Sequence, residues 1–147
     1  MAAELDGPAV VISKEHYEVV VGHCFDGLPD EACGLLAGPL ADGGAVPTYE
    51  VGGVYPCRNS DRSARTYTVD PRDYLRSMRD AESRGHEIIG VWHSHTHTDA
   101  YPSPTDVRQS VDPAWWYVIV SLKYGEPVLR AYEIRDGEIE EVPVEVS

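Results

Sequence analysis

Three segments, each built on a short apolar run, most constrain the fold of this 147-residue chain. They are ACGLLAG from Ala32, HEIIGVWHSH from His86 and WWYVIVSL from Trp115. Short runs rich in branched and aromatic side chains are typical of strands, whereas helices with a buried face usually extend over ten or more residues. The sequence therefore predicts a sheet that contains these three segments as strands.

The rest of the chain predicts both helices and further strands. Strands are predicted at AVVIS (9–13), VPTYEVGGVYPC (46–57), RTYTV (65–69), PVLRAYEI (127–134) and EIEEVPVEV (138–146), the last two forming a hairpin around the turn Asp136-Gly137. Helices are predicted at 14–25, 70–85 and 103–111. Because strands and helices do not alternate regularly, we expect an α/β fold with a mixed central β-sheet flanked by helices, and not a doubly wound sheet.

The second helix has the clearest boundaries. Asp70 is the predicted N-cap, Pro71 occupies the first helical position, and Gly85 marks the end. The predicted apolar face consists of Tyr74, Leu75 and Met78. We expect this face to cover one side of the sheet.

The chain length suits a single domain, because two independent cores need more residues. The predicted domain covers residues 9–147 and follows a polar tail at 1–8. The connection at 58–64 is polar and is predicted to be exposed. Cys24, Cys33 and Cys57 form no CxxC pair, so we expect reduced thiols, with Cys33 as a small core residue.

The formal net charge of −13 argues against nucleic acids and anionic membranes as partners, since both are bound through clustered basic residues. The few basic residues cluster only mildly, between Arg58 and Arg84. The N-terminus MAAELDGPAVVIS has no basic leader, and no apolar run is long enough to span a bilayer. We therefore expect a cytoplasmic protein.

The segment HSHTHTDAYPSPTD, which begins at His93, is the strongest chemical signal. Side chains alternate along a strand, so His93 and His95 project from the same face. This spacing brings two imidazoles together, as a metal site requires. A His-x-His pair alone is a short motif that also occurs by chance, so further ligands are needed.

The end of the segment, SPTD, has two interpretations. Ser103, Pro104 and Asp106 match the pattern of a helix N-cap. A carboxylate in the first turn of a helix next to the histidine strand could equally be a third metal ligand. Two imidazoles and one carboxylate leave the fourth position of zinc open to water, which is typical of catalytic sites.

A hydrolytic metal site also needs a general base, and Glu31 in DEACGLLAG is the best candidate elsewhere in the chain. A carboxylate at the start of a strand is often only solvated. Its place upstream of the complete His-x-His and Ser-x-x-Asp pattern favours the catalytic role.

Together, PDEACGLLAG and HSHTHTDAYPSPTD resemble the signature of the JAMM (MPN+) zinc metallopeptidase family, and the order of elements is similar over nearly the whole chain. The resemblance implies one zinc ion per chain, bound by His93, His95 and Asp106. It also implies that Glu31 is the catalytic acid and base and that Ser103 stabilises the oxyanion. The implied fold is a single MPN domain.

Within the family, the chain is most similar to small actinobacterial enzymes that act on a ubiquitin-like sulfur carrier. This resemblance implies cleavage after the C-terminal Gly-Gly of the carrier, with release of cysteine from a carrier-cysteine adduct. Thr96 follows the second histidine where deubiquitinating members usually have Pro, and there is no room for their insertions. Two alternatives remain: a peptidase that trims a C-terminal extension from a sulfur carrier, and a non-enzymatic MPN scaffold.

Four more residues lie near these motifs in the sequence. His97 is two residues beyond His95 and would project from the same face if the strand continued. We nevertheless expect it to lie outside the ligand set. Asn59, Ser63 and Tyr67 resemble the segment that flanks the substrate groove in the family.

Overall fold

The structure is a computed structural model, and it describes residues 10–40, 50–110 and 112–147. The predicted tail at 1–8 and the first part of the strand predicted at 46–57 lie outside these ranges. The described elements in chain order are β1 (Val10–Ile12), α1 (Lys14–Asp26), β2 (Cys33–Pro39), β3 (Gly53–Cys57), α2 (Pro71–Ser83), β4 (His86–His95), α3 (Pro104–Gln109), β5 (Trp116–Ser121), β6 (Val128–Arg135), β7 (Glu138–Val142) and β8 (Val144–Val146).

Six of the strands form one sheet in the order β3-β2-β4-β5-β6-β7. Strands β4 and β5 are parallel, and the other neighbours in this sheet are antiparallel. The parallel pair requires a crossover, which the segment containing α3 provides. The prediction of a mixed α/β fold is confirmed.

Apolar side chains on the two faces of this sheet form two separate clusters. Trp92 and Val118 belong to the cluster covered by α1, whereas Val91 and Ile119 belong to the opposite cluster. This separation follows from the alternation of side chains along each strand. Gly34 is required beneath Trp92, since a Cβ there would lie 2.2 Å from the indole ring.

Helix α2 begins as predicted, but it packs through a different face. Asp70 accepts hydrogen bonds from the backbone N–H groups of Arg72 and Asp73, and the chain turns away at Gly85 with φ +74°. The buried positions are Asp73, Ser77 and Ala81, whereas the predicted face residue Leu75 is 41% exposed. The predicted apolar face was therefore wrong in part.

The cause is a polar contact with the end of β3. The Asp73 carboxylate accepts hydrogen bonds from the backbone N–H of Arg58 at 2.8 Å and from its guanidinium at 3.1 and 3.2 Å. These hydrogen bonds hold α2 against the end of β3. Leaving a buried carboxylate unpaired would cost more free energy than exposing one leucine side chain.

Two predicted strands are corrected. RTYTV is not a strand, since only Val69 pairs, in an isolated bridge with Asn59. The segment predicted at 138–146 divides at Pro143, and β8 pairs with β1 in a separate parallel sheet. Proline has no N–H to continue the β6–β7 ladder, and its carbonyl accepts a hydrogen bond from Val10 instead.

The three cysteines are free, as predicted, and the predicted core position of Cys33 is confirmed; Cys24 and Cys57 are buried as well. None of the helices in the described ranges is both long and apolar enough to cross a membrane.

Candidate metal centre and active site

The last residues of β4 place two imidazoles on one face of the sheet. His93 and His95 are 3% and 4% exposed, and their ring centroids lie 4.9 Å apart. Ser94 between them points the other way, and its hydroxyl accepts a hydrogen bond from the Ala32 N–H at 2.8 Å. The Ser94 N–H donates to the Ala32 carbonyl at 2.9 Å. These contacts join the ends of β4 and β2, which brings Glu31 beside the histidines.

The first turn of α3 supplies the carboxylate. Asp106 Oδ2 lies 3.2 Å from His93 Nε2 and 3.0 Å from His95 Nε2. The same oxygen accepts a hydrogen bond from the Ser103 N–H at 2.9 Å, while the Asp106 N–H donates to Ser103 Oγ at 3.0 Å. The capping interpretation of SPTD is confirmed, and the capping box orients the carboxylate toward the histidines, where it could also be a metal ligand.

The atoms of these three side chains could hold a metal ion. One ligand atom from each of His93, His95 and Asp106 lies within 4.8 Å of the others. His95 Nδ1 is 2.7 Å from the Asp99 carbonyl, which only accepts, so Nδ1 carries the proton. In a neutral ring this leaves the lone pair of Nε2 facing the Asp106 carboxylate. Two acceptors in contact are stable only with a cation between them or with a protonated ring, and a bound metal ion is one way to meet this requirement.

Burial and the hydrogen bonds between Asp106 and the two histidines shift the pKa values of all three side chains, in part in opposite directions. Burial lowers the pKa of His93 below its usual value. Burial opposes protonation of His95 as well, but hydrogen bonds to Asp106 and Asp99 raise its pKa overall. Burial would raise the pKa of Asp106, yet the hydrogen bonds with both histidines bring it well below the usual range. Asp106 is thus an ionised carboxylate, as a metal ligand must be.

Glu31 is buried beside this group. Its side chain is 5% exposed, and Oε1 has no hydrogen-bond partner among the described residues. Burial is the main cause that raises its pKa to about 8; Asp106 and Asp61 add to the shift, and His95 opposes it. A bound cation would lower this pKa, because nearby positive charge favours the carboxylate. An unpartnered buried carboxyl is costly in a fold, so it indicates a functional role.

The loop between β3 and α2 holds the backbone of Glu31 in place. The Glu31 N–H donates to the Ser63 carbonyl at 2.8 Å, and the Asn59 amide donates to the Glu31 carbonyl at 2.9 Å. The same Asn59 side chain also contacts Thr66 and Thr68 of its own loop. The loop is therefore a positioning element for Glu31, and it takes this form instead of the strand predicted at 65–69.

Three more residues that the sequence analysis named differ in their position relative to the site. The Tyr67 ring stacks on His93 with centroids 4.2 Å apart. Ser103 Oγ accepts the capping hydrogen bond, which leaves its O–H free to donate. His97 lies beyond the end of β4 and is exposed, outside the group of three ligand atoms. Asp99 was not predicted, because it acts through a backbone carbonyl that every residue type has.

The mixed sheet and the His-His-Asp group define the class of protein. The chain belongs to the family of prokaryotic homologues of the JAB domain, whose family model matches residues 13–135. The predicted resemblance to the JAMM (MPN+) family is confirmed.

Individual relatives cover nearly the whole chain. The CysO-cysteine peptidase of Mycobacterium tuberculosis is 38% identical over 140 residues, which are 93% of this chain and 90% of that protein. The desampylase of Haloferax volcanii is 30% identical over 141 residues, covering 92% and 95% of the two chains. The solution structure of a protein from Desulfitobacterium hafniense has a TM-score of 0.83 and 33% identity, and the match covers 94% and 92% of the two chains.

Proposed function

We propose that this protein is a zinc metallopeptidase that hydrolyses the bond after the C-terminal Gly-Gly of a ubiquitin-like sulfur carrier. On a carrier-cysteine adduct the products are the carrier and free cysteine. The observation that carries the proposal is the convergence of His93, His95 and Asp106 beside the unpartnered carboxyl of Glu31. The relative named CysO-cysteine peptidase supports the choice of substrate.

The donor set fits zinc. Two imidazole nitrogens and one carboxylate oxygen have the borderline character that zinc prefers, and three protein ligands leave one position free. The hydrogen bond from His95 Nδ1 to the Asp99 carbonyl orients that ring as a ligand. When bound, zinc supplies Lewis-acid chemistry that activates a water molecule near neutral pH and polarises the scissile carbonyl.

Glu31 and Ser103 provide the rest of the chemistry. Glu31 takes up the proton of the attacking water and passes it to the departing amine. The Ser103 O–H is free of the capping contact and donates to the negative charge that develops on the carbonyl oxygen. Glu31 Oε1 is buried without a hydrogen-bond partner among the described residues, so this oxygen is available for the proton transfer.

A second activity of the same site is the removal of a longer C-terminal extension from a sulfur carrier. A relative from Thermus thermophilus named a probable TtuB-protein conjugate cleaving protease, 28% identical over 133 residues, favours this alternative, since its name denotes cleavage of a conjugate with a protein and not with one amino acid. The scaffold alternative is disfavoured, because the three ligand side chains and Glu31 are all present and converge.

Mass spectrometry of a purified carrier tests the proposal. We expect the zinc-loaded protein to convert a CysO-type carrier ending in Gly-Gly-Cys to the Gly-Gly form, with loss of one cysteine residue. A carrier that ends in Gly-Gly followed by a longer peptide distinguishes the trimming activity. Unchanged masses for both carriers with zinc-loaded protein would refute the proposal.

A further inference from the structure

Two buried hydroxyl groups lie on the strands next to the candidate metal ligands. Ser121 ends β5 and is 0% exposed, and Tyr132 lies in β6 and is 2% exposed. Ser121 is the partner of His95 in the register of β4 and β5, so both side chains project from one face of the sheet. Tyr132 belongs to the apolar cluster on that face. Neither hydroxyl takes part in the chemistry described above.

Both hydroxyls bind the backbone of the loop that follows β4. The Ser121 hydroxyl donates to the Thr98 carbonyl at 2.6 Å. The Tyr132 hydroxyl donates to the Ala100 carbonyl. The carbonyl between these two belongs to Asp99, and it accepts a hydrogen bond from Nδ1 of the second ligand histidine at 2.7 Å. Three successive carbonyls of the loop therefore each accept a hydrogen bond from a different side chain.

The two buried hydrogen bonds are the main attachment of this loop to the sheet. Burial raises the pKa of Tyr132 to about 12, so its hydroxyl stays protonated and can donate. Breaking either bond would leave a buried hydroxyl without its acceptor, which costs free energy. The Asp99 side chain also contacts Tyr124 and Lys123, but these contacts are exposed and therefore contribute little.

We propose that Ser121 and Tyr132 are positioning residues for the metal ligand His95. This inference rests on the proposed function, because it requires the metal site. The two hydroxyls fix the loop on both sides of Asp99 and so hold the Asp99 carbonyl against His95 Nδ1. A ligand ring that is already held in one orientation loses less freedom when a metal ion binds, so the two hydroxyls should increase the affinity for zinc.

Zinc affinity tests the inference. Dissociation constants are measured by competition with a chromogenic zinc chelator, under conditions in which urea unfolding shows that each metal-free variant is folded. Tyr132→Phe should weaken zinc binding about tenfold, the lower end of the effect that follows when the hydrogen-bond partner of a ligand is disturbed. Ser121→Ala should weaken it as well, and it provides the test if Tyr132→Phe does not fold.

Two matched controls remove the same kind of hydrogen bond elsewhere. The Tyr117 hydroxyl donates to the Asp112 carbonyl at 2.7 Å, and the Ser77 hydroxyl donates to the Asp73 carbonyl at 2.7 Å. Both side chains are buried, but neither carbonyl is next to Asp99. Tyr117→Phe and Ser77→Ala should therefore lower the free energy of unfolding but change the zinc dissociation constant by less than about twofold.

The Nδ1–H proton of His95 gives a second measurement that does not depend on turnover. In zinc-loaded protein with isotope-labelled histidine, NMR measures how fast this proton exchanges with water. The hydrogen bond to the Asp99 carbonyl protects the proton, so exchange should be faster in Tyr132→Phe and Ser121→Ala than in the unchanged protein. The two control variants should exchange at the rate of the unchanged protein.

The two proposals fail in different ways. If the unchanged protein binds zinc and both Tyr132→Phe and Ser121→Ala bind it equally tightly, the positioning role is overturned and the proposed function is unaffected. Equal losses of affinity in the control variants would also overturn it, because a general loss of stability would then explain the effect. Absence of zinc binding by the unchanged protein would overturn both proposals. The expected losses of affinity, but no cleavage of the carrier, would support the positioning role and refute the peptidase.

Discussion

At the scale of single residues, Asp106 combines two roles that mutation can separate. Asp106→Ala should lose zinc and also destabilise the metal-free fold by about 1 kcal/mol, since the capping box loses the hydrogen bond from the Ser103 N–H to the carboxylate. Asp106→Asn should lose most of the zinc but keep nearly all of the stability, because an amide oxygen still accepts from the Ser103 N–H. Metal analysis and urea unfolding measure the two effects. If Asp106→Ala kept its zinc, the residue would be only a cap.

Glu31 is the residue whose role depends most on proton transfer. Glu31→Gln preserves size and polarity but cannot take up a proton, so we expect zinc to remain and kcat to fall by at least about a hundredfold. The control is Glu18→Gln, because Glu18 lies on the exposed side of α1. Turnover close to that of the unchanged enzyme would exclude Glu31 from the mechanism.

Ser103 has a hydroxyl that both caps α3 and can reach a reacting oxygen. Ser103→Ala should retain zinc and lower kcat by about a hundredfold to a thousandfold, equivalent to about 3 to 4 kcal/mol, with little change in KM. Ser103→Thr should recover much of this loss, since it keeps a capping hydroxyl. A change confined to KM would assign Ser103 to substrate binding.

At the scale of elements, α2 is attached to the end of β3 through Asp73. Hydrogen bonds from Arg58 are the main cause that lowers the pKa of Asp73, so the carboxylate stabilises the fold at neutral pH. Asp73→Asn should reduce the free energy of unfolding by about 1 to 2 kcal/mol at pH 7, a moderate value because the Arg58 side chain is largely exposed.

The pH dependence of this loss has a definite sign. A carboxylate with a lowered pKa stabilises the fold above its unfolded pKa of about 3.9, and the effect disappears as the pH falls through the folded value. The difference between Asp73→Asn and the unchanged protein should therefore shrink below about pH 4. Urea unfolding measures it, with Glu141→Gln in the exposed Arg130–Glu141 pair as a control expected to cost less than about 1 kcal/mol. A difference that is constant from pH 7 to pH 3 would contradict the assignment.

At the scale of the whole molecule, the proposed substrate is a folded carrier and not only its tail. Binding energy from the carrier body can align the tail over the ligands. We expect a free Gly-Gly-Cys tripeptide to have a kcat/KM at least about a hundredfold lower than that of the intact adduct, and Lys-linked ubiquitin chains to be nearly inert. Competition between adduct and tripeptide, followed by mass spectrometry, measures the ratio. Equal rates would show that the carrier body contributes nothing.

The sequence predicted those parts of the molecule that depend on local rules. The mixed α/β fold, the three core strands and the start of α2 follow from alternation, short apolar runs and capping residues. The projection of His93 and His95 from one face follows from the same alternation. These features need only neighbours within a few positions along the chain.

Only the tertiary structure decided which distant segments meet. The convergence of Asp106 on the histidines depends on the angle at which α3 follows β4, and the position of Glu31 depends on the hydrogen bonds of β2 and of the Asn59 loop. The loop replaces the predicted strand at 65–69 because its polar groups bond to Asn59 and to the backbone of Glu31. The packing face of α2 was likewise set by one buried carboxylate. These arrangements depend on burial and on hydrogen bonds between residues far apart in sequence. A local sequence pattern does not predict which of these contacts form.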